Sequence, residues 1–334
     1  MVNSNIKVLD CTLRDGGYVN NFDFGEKNIH SIVKNLESSN VDLIELGFLK
    51  DGNHKSSQTL FNNPLEAEQY AQNPNQEYCL MIRPDWYDIT QFGEGGNNIK
   101  NIRFAFHQKD LELTLKQASI VREAGYKVYF NPVNVLSYTE DELINILTSL
   151  NEFKPEGIYI VDTFGSIFPS DLDKLFSLFN SWVSSDIAIG LHLHENLSLS
   201  LSLAASFIEK IGTRKAYIDS SVLGMGRIPG NLCTELIMNF MNITQNSNFD
   251  LNSIYKIIDN PISQIKSTNP WGYTPAYAIT GFNQIHRSYA EYFLNKPNLS
   301  LPEIDKLLMQ VKAADKHVTF NETLASELYE ISKK

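Results

Sequence analysis

The chain has 334 residues, 43% of them apolar, and a formal net charge of −11. That length accommodates one large α/β domain with an appendage, and the composition is far from that of a disordered chain. The acidic balance argues against a general nucleic-acid binder, which needs a basic footprint, and no stretch reaches the length of apolar sequence that spans a membrane.

The first residues, Met1-Val2-Asn3-Ser4-Asn5-Ile6-Lys7, carry no apolar leader and run straight into a strand-like segment. Short apolar runs then recur at 7–11, 41–46, 78–82, 102–106, 128–130, 157–161, 187–191 and 216–218. Each is too short for a helix, and most are flanked by polar residues or by Gly and Pro. Between them lie helical patterns at 27–39, 64–72, 111–124, 140–150, 169–183 and 199–211, with Thr139 and Glu142 placed as a capping box. The segment 85–98, rich in Gly and Asn, reads as a short helix and a loop. The leucines at 197, 199, 201 and 203 alternate like a strand, but Leu199, Leu203 and Phe207 share a helical stripe, and a strand has just ended, so the expectation is a helix. Strand and helix alternating in this way predict an α/β fold, a TIM (β/α)8 barrel with a C-terminal helical extension. The barrel is assigned to 1–240; the last barrel helix and the extension are assigned to 241–334. Cys11, Cys79 and Cys233 are odd in number and lack a C-x-x-C spacing, which reads as reduced thiols of a cytoplasmic protein.

Two distant fragments offer the chemistry. His192 and His194, at spacing i, i+2 on a strand end, point to one side and can share a cation; the plainer alternative is two strand-end histidines bonded to neighbours. Asp15 follows the first strand and precedes Gly16-Gly17, where the chain can turn sharply; it could equally be a turn aspartate. In a barrel the ends of strands one and seven converge on one face. One Asp and two His with open positions suit Mg²⁺, Mn²⁺ or another first-row divalent ion better than a closed structural zinc. A third element, Leu223-Gly224-Met225-Gly226-Arg227-Ile228-Pro229-Gly230-Asn231, could hold a substrate carboxylate or phosphate on backbone N–H groups of Gly224 and Gly226, and matches no Walker or Rossmann spacing.

The set Asp10-Cys-Thr-Leu-Arg-Asp-Gly16, His192-Leu-His194-Glu-Asn196 and Gly224-x-Gly226…Gly230-Asn231 resembles the metal-dependent pyruvate aldolase and HMG-CoA lyase-like barrels, over roughly residues 6–240. The Asp-Gly-Gly-Tyr opening is most similar to the 4-hydroxy-2-oxovalerate aldolase branch, while the loop around Gly226–Glu235 is partly similar to the synthases. The resemblance implies that Asp15, His192 and His194 bind a divalent metal, Mn²⁺ or Mg²⁺ with Zn²⁺ or Co²⁺ as alternatives, and that Asn231 is a further, weaker ligand. It implies that Arg14 stabilises the enolate oxygen of a 2-oxo acid such as pyruvate, and that Thr163 holds the substrate carboxylate; a strand-end turn residue is the other reading of Thr163. No Schiff-base lysine is needed, Lys50 being a minor alternative. Where the aldolases carry a base His, this chain has Tyr18, a poor base at its ordinary pKa. His107 and Glu45 are candidate replacements, and Tyr277 or Tyr273 stands for the branch's C-terminal Tyr.

The expected activity is cleavage or formation of a 4-hydroxy-2-oxo acid through a pyruvate enolate, with a small 2-oxo acid and an aldehyde as partners. The alternatives are a Claisen-type acyl-CoA/2-oxo acid enzyme and a non-catalytic barrel binding subunit. A metal-dependent amidohydrolase would carry its H-x-H after the first strand, not the seventh. A homodimer is expected. After about Tyr289 the extension shows no correspondence with the surface by which the aldolases hold an acylating aldehyde dehydrogenase, which argues against that partner.

Overall fold

The apolar runs pair as one closed parallel barrel. In the computed structural model, which describes residues 5–93, 97–227, 229–315 and 317–333, the strands are β1 (Ile6–Asp10), β2 (Leu43–Leu49), the two-residue β3 (Leu60–Phe61), β4 (Glu77–Ile82), β5 (Ile99–Phe106), β6 (Lys127–Pro132), β7 (Gly157–Val161), β8 (Ala188–His192) and β9 (Ala216–Ser220). Their order is β1-β9-β8-β7-β6-β5-β4-β2-β3, and parallel pairing of β1 with β2, Leu9 opposite Leu43, closes the ring. All eight expected strands are present. The added β3 lies outside the ring on the end of β2, pairing with Phe48 and Leu49. It makes β2 longer than its apolar run predicts. Gly47 allows the bend there, because a Cβ at that position would lie 2.0 Å from the Thr59 carbonyl oxygen.

Alternation along the strands separates two cores. Outward-facing Val8, Ile44, Leu80, Phe104, Phe130, Ile158, Leu191 and Ile218 pack in one cluster with the surrounding helices. These are α1 (Glu26–Ser38), α3 (Leu111–Glu123), α4 (Glu140–Phe153), α5 (Pro169–Trp182), α6 (Ser200–Ile211), α7 (Thr234–Thr244) and α8 (Leu251–Ile257), with the single turn α2 (Pro64–Ala67) between α1 and α3. Inward-facing Leu9, Leu43, Cys79, Tyr129, Tyr159 and Tyr217 fill the barrel. Gly190 makes room for Tyr159: a Cβ there would sit 2.2 Å from the tyrosine ring. Gly190→Ala should therefore destabilise the fold by about 1–3 kcal/mol through overpacking, read as a lower urea midpoint with an unchanged slope.

The capping box at Thr139 and Glu142 forms as expected, and the leucine-alternating stretch is helix α6. The helix expected over 64–72 is shorter. It stops at Ala67, beyond which Tyr70 N and Ala71 N bond three residues back in tighter turns, while the Glu68 carboxylate accepts the amides of Asn98 and Ile99 and the Tyr70 hydroxyl donates to Ser56 O. In 85–98 a 3-10 turn forms at Ile89–Gln91, and 94–96 lie outside the described residues.

The C-terminal extension contains α9 (Ser263–Thr268), α10 (Pro275–Asn283), α11 (Ser288–Leu294), α12 (Leu301–Ala313) and α13 (Glu322–Ser332). From Ala276 to Tyr329 it has its own apolar cluster, built on Tyr289, Phe293, Leu307, Leu308 and Val311. It docks over the ends of β7 and β8. There Asn196 Nδ2 donates to Tyr277 O at 3.2 Å and to Thr280 Oγ1 at 3.3 Å, and Phe282 packs on Phe168. Among the described residues no helix is long and apolar enough to cross a membrane.

Candidate metal centre

The turn after β1 is held by a buried carboxylate. Asp10 accepts the Thr12 amide at 3.0 Å and the Thr234 hydroxyl at 2.7 Å, and burial pushes its carboxyl up to about 6. The amides of Arg14 and Asp15 then converge on Cys11 O, so both side chains face the barrel mouth. Two strands away, β8 ends at His192, and His194 forms an isolated bridge with Asn231. The two imidazoles lie with ring centroids 5.0 Å apart. One ligand atom each from Asp15, His192 and His194 lies within 4.8 Å of the others.

Each imidazole is oriented by an acceptor on Nδ1. His192 Nδ1 lies 3.0 Å from Asp219 Oδ2, and His194 Nδ1 lies 2.7 Å from Asp162 O. A donor tautomer at Nδ1 leaves each Nε2 lone pair for the centre, the arrangement that ligating histidines adopt. His194 Nε2 and Asp15 Oδ2 face each other at 3.5 Å, and neither has a hydrogen-bond partner. Asn231 Oδ1 is also buried without a partner, while its Nδ2 donates to Met225 O at 3.2 Å. Buried polar atoms without partners are costly. Unpartnered buried oxygen and nitrogen donors of these types fit a first-row divalent cation.

Behind the centre runs a buried chain of charge. Arg14 donates to Asp15 at 2.7 Å and to Glu45 at 2.6 Å; Arg103 donates to Glu45 at 2.9 Å and to Asp219 at 2.5 Å. Burial alone would raise the Asp15 carboxyl, but Arg14 and the two imidazoles hold it well below the usual carboxylate range. Asp219 is likewise lowered against its burial, by Arg103 and His192. Burial pushes the His192 imidazole down, against the pull of Asp219, so it is neutral and able to ligate at pH 7. Arg14 and Arg103 against Asp15, Glu45 and Asp219 leave one negative charge unbalanced, which a divalent cation reverses.

Above the centre is a cavity of about 420 Å³, lined by Arg14, Asp15, Tyr18, Thr163, His192 and His194. Its outer wall includes His107, Arg227 and, from the extension, His286 and Thr319. Thr163 Oγ1 accepts the Asn134 amide at 2.6 Å, which leaves its proton to donate into the cavity. Several expected residues lie elsewhere. Gly224 and Gly226 do not line the cavity. The Gly224 amide is already bonded to Ser221 O, and both glycines give space to Asn231, since a Cβ on Gly226 would sit 2.2 Å from Asn231 Nδ2. Their smallness therefore positions Asn231. Tyr277 is buried in the extension's cluster, away from the cavity lining, and Tyr273 is exposed. Glu45 has both oxygens in ion pairs, and Lys50 stacks on Trp86.

Arg103, Asp219, Arg227 and His286 are not among the expected residues. Arg103 and Asp219 had a signal: Arg103 is a charge inside an apolar strand run and Asp219 directly follows one, and both face inward by alternation. For His286 no local pattern marks a role, because its place depends on how the extension docks.

A family model described as HMGL-like matches residues 5–260. The chain is 24% identical over 238 residues to a 4-hydroxy-2-oxovalerate aldolase of Bacillus cereus, covering 70% of this chain and 68% of that one. It is 24% identical over 234 residues to an oxaloacetate decarboxylase of Mycobacterium tuberculosis, covering 69% and 68%. In fold it is similar to the N-terminal domain of a candidate aldolase from Bacteroides vulgatus, with a TM-score of 0.74 and 24% identity over 86% of this chain and 96% of that one.

Proposed function

The chain belongs to the HMGL-like family, and on that premise we propose that it is a metal-dependent aldolase, a carbon–carbon lyase that cleaves or forms a 4-hydroxy-2-oxo acid through a pyruvate enolate. The observation that carries this reading is the unpartnered pair Asp15 Oδ2 and His194 Nε2 lying beside Arg14. Asp15, His192 and His194 would hold the cation, with Asn231 Oδ1 as a further ligand. Mn²⁺ or Mg²⁺ is proposed, with Zn²⁺ or Co²⁺ as alternatives. A divalent cation bound there supplies Lewis-acid polarisation of the 2-oxo carbonyl.

The protein's own groups do the rest. Retro-aldol cleavage breaks the bond between C3 and C4 and leaves its electron pair on the oxo-acid fragment, with charge building on the carbonyl oxygen. Arg14, fixed by Asp15 and Glu45, presents a guanidinium to that charge without reorganising as the charge develops. The Thr163 hydroxyl is free to donate to the substrate carboxylate. Release of the aldehyde requires the C4 hydroxyl to lose its proton. Tyr18 stands where the aldolases place their histidine, and its ring packs against Phe22, Phe48 and Trp86. His107 and His286 face the same cavity, and burial lowers both below the ordinary histidine value, His286 to about 4. Both are therefore neutral at pH 7, and either imidazole can accept the proton.

The test is pyruvate release from 4-hydroxy-2-oxo acids of graded chain length in Mn²⁺, followed through lactate dehydrogenase, with oxaloacetate as a parallel substrate. Turnover of at least one hydroxy-oxo acid is expected. Bound metal with no pyruvate from any of them would sink the aldolase reading and favour the acyl-CoA chemistry.

A further inference from the structure

The cavity carries positive charge that the chemistry above does not use. Its lining includes Arg83, Lys109 and Arg227 besides Arg14, and among the lining residues Asp15 is the single carboxylate. Arg83 is paired with Asp85 at 2.7 Å. Arg227 differs. Its guanidinium stacks over the Tyr18 ring at 4.2 Å, its Nε is buried with no hydrogen-bond partner, and among the described residues no carboxylate pairs with it. Two groups that feel its charge are Arg287, of the same sign, and the His286 imidazole. Burial lowers Arg287 and His286, and repulsion from Arg227 lowers both further. Arg287 has Glu291 at 2.9 Å, on its own helix. An arginine stacked in place on a cavity wall, with no carboxylate paired to it among the described residues, is built to meet an acceptor that arrives with the ligand.

Arg14 is held by Asp15 and Glu45 and Arg227 by the Tyr18 ring, so the two guanidiniums have separate anchors and can meet different groups of one ligand. A three-carbon oxo acid also fills only a small part of the cavity. We propose that Arg227, backed by Arg287, binds a second anionic group, a carboxylate or a phosphate ester, on the portion of the substrate that leaves as aldehyde. The aldehyde of this enzyme is then itself an anion. The proposal rests on the aldolase reading for its location, and the experiment separates the two.

The first arm uses the full chain stripped of metal, titrated calorimetrically with glutarate and with glycerol 3-phosphate, and with glycerol as the neutral control. At least one dianion should bind, more weakly at high salt, and the tighter of the two identifies the group. Arg227→Gln should weaken that binding about tenfold or more, the size of a lost charge-assisted hydrogen bond. Arg227→Lys keeps the charge and should retain part of it, and thermal melts of both variants confirm that they fold. The second arm measures pyruvate addition in Mn²⁺ to succinic semialdehyde, glyceraldehyde 3-phosphate and propanal. An anionic aldehyde should exceed propanal in kcat/KM by about tenfold or more, and the ratio should collapse in Arg227→Gln. Dianion binding without turnover of any aldehyde would overturn the aldolase reading and support the anion site. Absence of dianion binding, or equal binding in Arg227→Gln, would overturn the anion site whatever the turnover.

Discussion

Asp15→Asn should abolish turnover and lower Mn²⁺ affinity by about 100-fold or more, since even a supporting residue behind a ligand is worth about 10–100-fold. The substitution keeps the side chain's shape and removes its charge. It also leaves Arg14 with one carboxylate partner where it has two at 2.7 and 2.6 Å, so the guanidinium loses its aim at the reacting oxygen. Mn²⁺ titration followed by electron paramagnetic resonance reads the affinity directly. An unchanged affinity would remove Asp15 from the metal centre and would favour a barrel that only binds.

The second large effect is on stability. Arg103 is fully buried between Glu45 and Asp219. Arg103→Met should lower the unfolding free energy by about 3–5 kcal/mol, because it strands buried charge without its partner. Neutralising all three positions together, as Glu45→Gln, Arg103→Met and Asp219→Asn, should recover most of that loss. It should not recover activity, because Asp219 aligns His192 and Glu45 aligns Arg14. Urea unfolding of the single and triple variants, beside pyruvate release, separates the two roles. A triple variant as active as the parent would show that the chain of charge serves stability alone.

The barrel was readable because its signals are local. Short apolar runs, capped helices and an H-x-H strand end survive in sequence however the rest packs. Asp15 and the two histidines could be brought together on paper because barrel topology fixes which strand ends meet. The limits have physical causes too. Gly224 and Gly226 look like a ligand cradle in sequence, yet a glycine makes room equally for a ligand or for a neighbour, and here the neighbour is Asn231. The 64–72 segment has helical spacing, but past Ala67 its backbone tightens into i, i+3 turns where Glu68 ties it to the amides of residues 98 and 99, a contact between distant segments that spacing does not record. The cavity's outer wall depends on contacts between segments more than 100 residues apart, for which no periodicity exists.

The barrel and the helical extension divide responsibility for the reaction. Residues that would make the enolate belong to the barrel, whereas His286, Val318 and Thr319 reach the same cavity from a helical body with its own core. Changes in that body would reshape the outer wall, His286 included, while Asp15, His192, His194 and Arg14 stay on the barrel. The fold thus lets the outer wall vary independently of the metal centre, and a graft of residues 275–333 from a related chain that keeps His286 is a route to new products.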